Sequence, residues 1–429
     1  MKWAFYNVLF ALVYPFLLPG FLVRMLRRGG YAARMGDRFA LYPHEILQKF
    51  GAKPLSHGYT KGEFVWIHAV SVGEVQVAGQ LMREWRTVEP NVKFCFSTTS
   101  STGWKMAERE VSENDVLIYN PLDFPNFVKS AFRTVRPRAV ILTESEIWPN
   151  FIRFAARKYG VPVFLVNARV SDRSAPRYRA AKCFFGDVLS CLTRTFAQSA
   201  LDRDRLVAAG APADRVAVTG SFKFDVARRN EAKEREMREW IGSGRILLGG
   251  STWPGEDEVL LHIHRKILER IPGFKLVIAP RHFEKADDVE RNIRAAGFAC
   301  VRRSRGDVQQ NAGEVFLADT TGELMGLYGI ADVVFVGKSL CAHGSQNMIE
   351  PCLCGKPTFV GPYTENFRPV MSDLLAARAI VQVGDAAELE TAVLAACESP
   401  DDLGARAAEA VACRCGVVAR CVDEIRRSL

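Results

Sequence analysis

The sequence lacks the residue spacings that hold metals or disulfide scaffolds. Its eleven cysteines include no C-x-x-C pair, and the two closest pairs, Cys352/Cys354 and Cys413/Cys415, are separated by single residues. We interpret them as reduced thiols that are mostly buried. The seven histidines form no H-E-x-x-H motif. The sequence therefore predicts neither a protein-bound metal nor a cofactor.

The chain also lacks an even spread of positive charge. Its formal net charge is +9, but residues 1–60 alone contain eight Lys and Arg against two acids, a net of +6. Because most of the excess lies at the N-terminus, we expect an anionic membrane surface as a partner, and no nucleic acid.

Residues 3–23 contain no charge and are long enough to span a bilayer. The arginines at 24, 27 and 28 follow at once and place the C-terminal side in the cytoplasm. The apolar stretch is too long for a cleaved signal peptide and has no cleavage site before the arginines. We predict a membrane anchor over residues 1–30. Two prolines and a glycine inside it leave open whether it spans the membrane or lies in the interface as a broken helix.

The rest of the chain alternates apolar strands with amphipathic helices. A chain of 429 residues predicts two domains of roughly 200 residues each. The first series has strands at 64–70, 92–97, 116–119, 139–143 and 161–166. The pattern breaks near 220–230, and the second series has strands at 246–249, 275–279, 314–318, 333–336, 357–360 and 379–383. This alternation predicts an α/β fold with two Rossmann-like lobes and a ligand cleft. We place the lobes at 31–224 and 225–415. A final helix covers 416–429, and the sequence does not establish whether it returns to the first lobe.

The central stretch of the first lobe is Phe64–Val75, which we interpret as a strand, a tight turn and a helix. Glu74 then stands at a helix start above the carboxyl end of a strand, where parallel sheets bind ligands. The alternative is that Glu74 only complements the helix dipole.

Further acids and cations follow the later strands of this lobe. Glu144 and Glu146 follow the strand at 139–143, and Glu146 could be a cap-region acid of the helix begun by Pro149. Two strand-end carboxylates, Glu74 and Glu144, suggest acid/base work or hydroxyl binding. The next strand ends in Asn167 and Arg169, with Ser171, Arg173, Ser174, Arg177 and Arg179 beyond. This density of charge suits a phosphate or carboxylate ligand. The alternative is a solvated basic helix face.

The second lobe carries candidate donor-binding residues at three strand ends. Gly250 and Ser251 belong to a small-residue turn, Gly249–Glu256, whose amides could cradle a phosphate. Arg281 and His282 close the next strand. Lys338 and Ser345 lie in a loop after the strand at 333–336. It leads to Asn347 and Glu350, which would meet a phosphate and ribose hydroxyls.

Together these segments resemble the 3-deoxy-D-manno-octulosonic acid (Kdo) transferases of lipopolysaccharide synthesis. The resemblance runs in order from the anchor to about residue 370. It is carried by His68–Glu74, Thr143–Asn150, Asn167–Arg169, Ala279–His282 and Asn347–Pro351 with Gly361 and Pro362.

The resemblance implies a glycosyltransferase-B fold and an enzyme that uses CMP-Kdo as donor and a lipid A precursor as acceptor. It implies inversion at the anomeric carbon, with Glu74 as general base and Glu144 as a second functional acid. Arg281, Asn347 and Glu350 fall where the family holds CMP. Ser71, Asn167, Arg169 and Arg173 would suit the acceptor phosphates or the Kdo carboxylate. The expected location is the cytoplasmic face of the inner membrane.

One departure from the family pattern is Gly344-Ser345-Gln346-Asn347, where the family has Gly-Gly-His-Asn; His343 lies one residue earlier. Gln346 cannot be a cation, so weaker donor affinity or compensation by Lys338 is expected. Two other functions stay open. One is a bilobal transferase that uses a UDP-sugar on a lipid-linked acceptor, and the other is a non-catalytic membrane scaffold. The sequence does not give the number of Kdo residues added, their linkage or the oligomeric state.

Overall fold

A computed structural model describes residues 2–28, 32–51, 59–226, 229–309, 313–399 and 401–429. Residues 1, 29 and 30 of the predicted anchor, residue 31 at the predicted start of the first lobe, and Lys53, one of the N-terminal basic residues, lie outside the described residues. The chain forms two compact units. Unit 1 comprises Met1–Val226 and Gly416–Leu429, and unit 2 comprises Ala227–Cys415.

Unit 1 is built on a parallel sheet that has seven strands in the described residues. Its strands are β1 (Phe64–His68), β2 (Lys93–Thr98), β3 (Val116–Tyr119), β4 (Ala139–Thr143), β5 (Val163–Ala168), β6 (Arg194–Ala197) and β7 (Val216–Val218). Their order is β3-β2-β1-β4-β5-β6-β7. Every residue of β1 and β4 is buried, as expected for central parallel strands covered on both faces.

Helices cover both faces of this sheet. They are α1 (Lys2–Arg28), α2 (His44–Lys49), α3 (Val72–Val88), α4 (Ser101–Ala107), α5 (Pro125–Val135), α6 (Pro149–Arg153), α7 (Ala175–Ala180), α8 (Lys182–Leu189), α9 (Ala200–Ala208), α10 (Lys223–Val226) and the C-terminal helix Val417–Arg427. On one face, Leu81 of α3 packs in a cluster with Val418 and Ile425 of the C-terminal helix. On the other face, Phe132 of α5 packs with Phe151 of α6. The C-terminal helix is thus part of the first core.

The N-terminal helix α1 is continuous through Pro15 and Pro19. Within the ranges described, no helix is both long and apolar enough to cross a membrane. The membrane anchor therefore stays a prediction.

Unit 2 contains a second parallel sheet, again with seven strands in the described residues. They are β8 (Ile246–Thr252), β9 (Lys275–Pro280), β10 (Cys300–Arg302), β11 (Val315–Leu317), β12 (Val333–Val336), β13 (Thr358–Val360) and β14 (Val381–Gln382). Their order is β10-β11-β9-β8-β12-β13-β14. The helices are α11 (Glu231–Ile241), α12 (Glu256–Arg270), α13 (Ala286–Ala295), α14 (Leu324–Ile330), α15 (Ile349–Leu353), α16 (Arg368–Ala376), α17 (Ala386–Glu398) and α18 (Leu403–Ala412).

In unit 1 the direction of strand addition reverses between β1 and β4, which is the switch point of this sheet. In unit 2, β8 and β12 are neighbours whose following strands, β9 and β13, lie on opposite sides, so a switch point lies between them; β11 is inserted between β9 and β10. Open parallel sheets bind ligands outside the carboxyl ends of the strands at such points. The predicted α/β class with two parallel sheets is confirmed, and its switch points indicate where to look for the site.

Candidate active site

The switch point of unit 1 brings together the two acids predicted at strand ends. Glu74 lies in the first turn of α3, directly after β1, and Glu144 directly follows β4. The two strands pair with each other. The hydroxyl of Thr143, the last residue of β4, lies 3.3 Å from Glu74 Oε2 and 3.0 Å from the His68 carbonyl oxygen. Both carboxylates therefore lie at one edge of the sheet.

Glu74 belongs to a capping box at the start of α3. The Ser71 hydroxyl oxygen accepts a hydrogen bond from the Glu74 N–H (3.2 Å), and the same hydroxyl donates to Glu74 Oε1 (2.8 Å). The Val70 N–H donates to Oε2 over 3.0 Å. With Thr143, whose single proton is also within reach of the His68 carbonyl, at most three donors reach a carboxylate that has about four lone-pair positions. Among the residues that the structure describes, Glu74 is thus a cap residue with one position on Oε1 left for a further proton.

Glu144 is buried and has an unusual backbone conformation. Its φ is +50°, in the left-handed region that few non-glycine residues adopt. Its Oε2 lies 2.8 Å from the Arg169 Nε, and its Oε1 accepts from Asn167 Nδ2 at 3.3 Å. Burial raises the pKa of Glu144; the charges of Arg169 and Lys223 oppose this rise, and the charge of Glu74 adds to it.

Lys223 is a member of this cluster that the sequence reasoning missed. Asn167, fully buried with a φ of +51°, accepts the Phe222 N–H on its Oδ1 at 3.0 Å, which fixes the segment next to Lys223. Burial lowers the pKa of Lys223, and the charge of Glu144 opposes this change. The signal in the sequence is a lysine shortly after β7, but the apolar pattern does not predict β7 itself.

The other predicted acceptor-side residues differ in their exposure. Ser71 is exposed at the cap of α3, and the Arg169 side chain is 51% exposed although its Nε meets Glu144. Arg173 lies on an exposed turn before α7, in which the Ser174 N–H donates to the Ser171 carbonyl at 3.0 Å. The structure thus places Ser71, Asn167 and Arg169 at the two acids, and Arg173 on the neighbouring surface.

A second missed feature is the buried His68 at the end of β1. Its Nδ1 lies 2.9 Å from the Ser97 hydroxyl, and its Nε2 lies 3.6 Å from Glu146 Oε2. The Trp148 indole N–H also donates to Glu146 Oε2 at 2.9 Å. Glu146 therefore hydrogen-bonds to Trp148 within the turn at 144–148, with the His68 ring just beyond hydrogen-bond distance, and it makes no side-chain cap at α6.

In unit 2 the residue at the switch point is Glu256, the first residue of α12, which the sequence reasoning did not single out. It is fully buried. Its Oε2 accepts the N–H groups of Trp253 (2.8 Å) and Lys338 (2.9 Å). Its Oε1 accepts those of Ser339 (3.1 Å), Leu340 (3.0 Å) and Cys341 (3.4 Å). Glu256 thus joins the end of β8 to the loop after β12.

The predicted turn at 249–256 is partly strand. β8 continues through Gly250 and Ser251 to Thr252, with an irregular register between Gly250 and Thr252. A Cβ on Gly250 would lie 2.5 Å from the Tyr328 hydroxyl, so this position requires glycine. The Trp253 N–H, one of the amides expected to cradle a phosphate, is bound to Glu256 instead. That part of the predicted cradle is already occupied by a carboxylate of the protein.

An aromatic side chain connects the candidate donor residues after β8, β9 and β12. The Lys338 Nζ lies 4.8 Å from the centre of the Trp253 ring. The exposed His282 packs against the same ring at 5.2 Å. Lys338 has a φ of +58°, and its carbonyl accepts the Ser345 N–H at 2.7 Å. Lys338, His282 and Ser345 thus form one group around the switch point.

Asn347 and Glu350 form the second group. The Asn347 Nδ2 donates to Glu350 Oε1 at 2.9 Å, and its Oδ1 accepts the Ile349 N–H at 3.1 Å. Burial raises the pKa of Glu350, while the Asn347 hydrogen bond and the charge of the exposed Arg281 oppose this rise. Arg281 therefore lies near enough to Glu350 to act on the same ligand.

The departure at Gln346 has a defined geometry. The Gln346 N–H donates to the Gly337 carbonyl at 3.1 Å. His343 is exposed; its Nδ1 lies 2.9 Å from Glu365 Oε1, and its ring packs on Tyr363. Because His343 already pairs with Glu365, it is poorly suited to replace the histidine that the resemblance leads one to expect at 346.

Two parallel α/β units with polar clusters at both switch points define a glycosyltransferase-B type of protein. UDP-GlcNAc 2-epimerase from Neisseria meningitidis, solved with UDP-GlcNAc bound, shares this fold: its TM-score is 0.56 at 14% identity, over 83% of this chain and 100% of that one. The family model for 3-deoxy-D-manno-octulosonic-acid transferase (kdotransferase) matches residues 33–226.

Two curated relatives establish the family. The 3-deoxy-D-manno-octulosonic acid transferase of Haemophilus influenzae is 30% identical over 98% of this chain and 97% of its own length. That of Bordetella pertussis is 35% identical over 86% of each chain. The chain belongs to the Kdo transferase family and is a glycosyltransferase, as the resemblance predicted.

Proposed function

We propose that this enzyme transfers Kdo from CMP-Kdo to a hydroxyl of a lipid A precursor, with Glu74 as general base. The observation that carries the proposal is the lone-pair position on Glu74 Oε1 that no described donor occupies, at the switch point of unit 1 and near Glu144, on which the charges of Arg169 and Lys223 act. A binding-only scaffold, the alternative function, does not require a carboxylate with an unoccupied proton-accepting position at this edge of the sheet.

In the proposed reaction, Glu74 takes the proton of the acceptor hydroxyl as its oxygen attacks the anomeric carbon of Kdo. The bond from that carbon to the CMP phosphate oxygen breaks, so that CMP leaves with the bonding electrons and the configuration inverts. A positioned general base contributes about 10²–10⁴ in rate. Glu144 orients Arg169, whose terminal nitrogens then suit a phosphate or carboxylate of the substrates.

CMP-Kdo binds to the residues at the switch point of unit 2. Lys338 and Arg281 supply positive charge for the phosphate. Glu350 accepts ribose hydroxyls, as acids do in dinucleotide sites, and Asn347 holds its carboxylate in place. Kdo transferase relatives at 30% and 35% identity support this donor. Ser345 and Ser251 line the same strand ends.

We further propose that α1 attaches the enzyme to the cytoplasmic face of the inner membrane. The outer side of the helix exposes Phe5, Val8, Leu9, Leu12, Val13 and Phe16. This spacing forms one apolar stripe, which suits a helix lying in the interface of an anionic membrane. Co-sedimentation with phosphatidylglycerol vesicles should be lost when Val8 and Leu12 are both replaced by Ser. Unchanged sedimentation would contradict this attachment.

The base assignment is tested with Glu74→Gln. We expect kcat to fall at least about 100-fold, with the Kd for CMP-Kdo within twofold of wild type. Glu388→Gln is the matched control, because Glu388 likewise stands in the first turn of a capped helix, α17: Asp385 Oδ1 accepts the Glu388 N–H at 2.9 Å, and Glu388 Oε2 accepts the Gly384 N–H at 2.7 Å. Full activity of Glu74→Gln, or an equal loss in Glu388→Gln, would contradict the assignment.

The substrates are tested in detergent with CMP-Kdo generated in place and a bisphosphorylated tetra-acyl disaccharide. Mass spectrometry should show stepwise gain of Kdo mass. Competition by CMP but not by UDP is expected. Competition by UDP alone would favour the UDP-sugar alternative.

A further inference from the structure

The inner side of α1 is hydrogen-bonded to a buried acid for which the proposed reaction has no use. The Tyr6 hydroxyl donates to Asp123 Oδ2 at 2.8 Å, and Asn7 Oδ1 accepts from Asn150 Nδ2 at 2.7 Å. The Tyr6 ring stacks on Phe184 with centroids 5.2 Å apart. This side of α1 is therefore fixed by specific polar contacts as well as by apolar packing.

Asp123 in turn fixes the beginning of α6. Its Oδ2 accepts the Asn150 N–H at 2.9 Å, and its Oδ1 accepts the Phe151 N–H at 2.8 Å. The Asn150 side chain donates to the Asp123 carbonyl at 2.6 Å. Tyr6 and the first amides of α6 thus share one carboxylate, which is 1% exposed.

The beginning of α6 is also the end of the turn that carries Glu144. Residues 144–148 connect β4 to α6, and the turn contains hydrogen bonds from the Glu146 N–H to the Thr143 carbonyl (3.0 Å) and from the Ile147 N–H to the Ser145 carbonyl (2.8 Å). A non-glycine residue in the left-handed region, as Glu144 is, persists only where its surroundings fix it. One end of this turn is fixed by the sheet, and the other by Asp123.

We propose that α1 has a second role, in which Tyr6 and Asp123 act as positioning residues that hold Glu144 in its working conformation. The proposal rests on the proposed function, since it assigns Glu144 to the reaction. The apolar outer side of α1 would attach the enzyme to the membrane, while the polar inner side orders the turn of the active site. Docking of the helix and catalytic competence are then coupled.

The test is Tyr6→Phe, which removes one hydroxyl and keeps the ring stack. Tyr14→Phe is the matched control, because Tyr14 lies on the same helix and packs on Phe124. With detergent-dispersed acceptor we expect kcat to fall about three- to tenfold in Tyr6→Phe. In Tyr6→Phe, the KM for CMP-Kdo and the binding to vesicles should stay unchanged. In Tyr14→Phe, the melting temperature should stay unchanged.

A double-mutant cycle separates positioning from a general loss of stability. In the Glu144→Gln background, Tyr6→Phe should have no further effect on kcat, because residues that act through one group are not additive. Wild-type kcat in Tyr6→Phe, an equal loss in Tyr14→Phe, or a full additional loss in the Glu144→Gln background would each overturn the proposal. A wild-type enzyme that forms no Kdo product would instead overturn the proposed function.

Discussion

Replacing Glu256 by Gln tests whether a buried carboxylate organises the donor side of the enzyme. In the native structure this carboxylate accepts five backbone N–H groups from the end of β8 and from residues 338–341. Gln has one oxygen and one NH₂ group. In the better orientation the oxygen replaces Oε1 and keeps three hydrogen bonds, while the NH₂ faces the N–H groups of Trp253 and Lys338.

Two hydrogen bonds to a charged group are then lost, and one of them, from the Lys338 N–H, holds the segment 338–341. At about 1.5–3 kcal/mol for that bond, the free energy that opposes local opening of residues 338–341 should fall by the same amount. Each 1.4 kcal/mol corresponds to a factor of ten, so exchange of these amides should become at least about tenfold faster. Because Lys338 and Ser345 lie in or after this segment, the KM for CMP-Kdo should rise about tenfold, with a smaller change in kcat.

Hydrogen exchange followed by mass spectrometry of the peptide around 338–345 measures the local opening. Steady-state kinetics measure the KM for CMP-Kdo and kcat. Glu258→Gln is the control, because Glu258 is exposed in the same turn of α12 and its hydrogen bond from Asn292 Nδ2, at 3.0 Å, does not involve residues 338–341. In Glu256→Ala, added formate should restore part of the protection. Unchanged exchange and an unchanged KM in Glu256→Gln would refute the reasoning.

Two pH-dependent predictions concern unit 2. Burial lowers the pKa of His264 to about 4 from its ordinary 6.5, so the unfolded state binds its proton first and stability falls as pH drops from about 6.5 to 4. In the wild type, the free energy of unfolding should fall by up to about 3 kcal/mol at pH 4 because of His264, and His264→Leu should abolish this fall. Urea unfolding at several pH values measures it, and an unchanged acid dependence in His264→Leu would contradict the prediction. Hydrogen bonds from Arg305, then Arg294 and Arg302, lower the pKa of Glu290 to about 2. The stabilisation by Glu290 is therefore present above pH 4.5 and is lost as pH falls towards 2. Arg305→Gln should raise this pKa and make acid unfolding, followed by circular dichroism, begin at a higher pH; an unchanged onset would argue against the contribution of Arg305.

The central strands of both sheets and the edge strands β3 and β14 could be predicted from the sequence, whereas β6, β7 and β10 could not. Strands buried on both faces are continuous apolar runs, which the pattern reveals. The three that were missed, β6, β7 and β10, have only three or four residues each and begin or end with polar or exposed positions. They lie at or next to an edge of their sheet, where one-sided packing leaves a weak apolar signal.

The site could be predicted where it depends on strand ends, and not where it depends on contacts distant in sequence. Glu74 and Glu144 follow neighbouring strands, so a rule about sheet edges brings them together. Asp123 contacts Tyr6 across 117 positions, and no local pattern connects them. Lys223 reaches Glu144 because β7 ends at the same edge, which requires knowledge of the strand order.

Both switch points hold an acid in a similar place, but the two carboxylates differ in how many further hydrogen bonds they can accept. Glu74 follows β1 and accepts from Thr143 of the neighbouring β4; Glu256 follows β8 and accepts from the loop after the neighbouring β12. Five donors saturate Glu256, which is fully buried, whereas three donors reach Glu74, which is 9% exposed. A carboxylate has about four positions for donors. An acid with none left can only hold the backbone, and an acid with one left at an accessible edge can take a proton. This difference is the physical reason for assigning the base to Glu74 and a positioning role to Glu256.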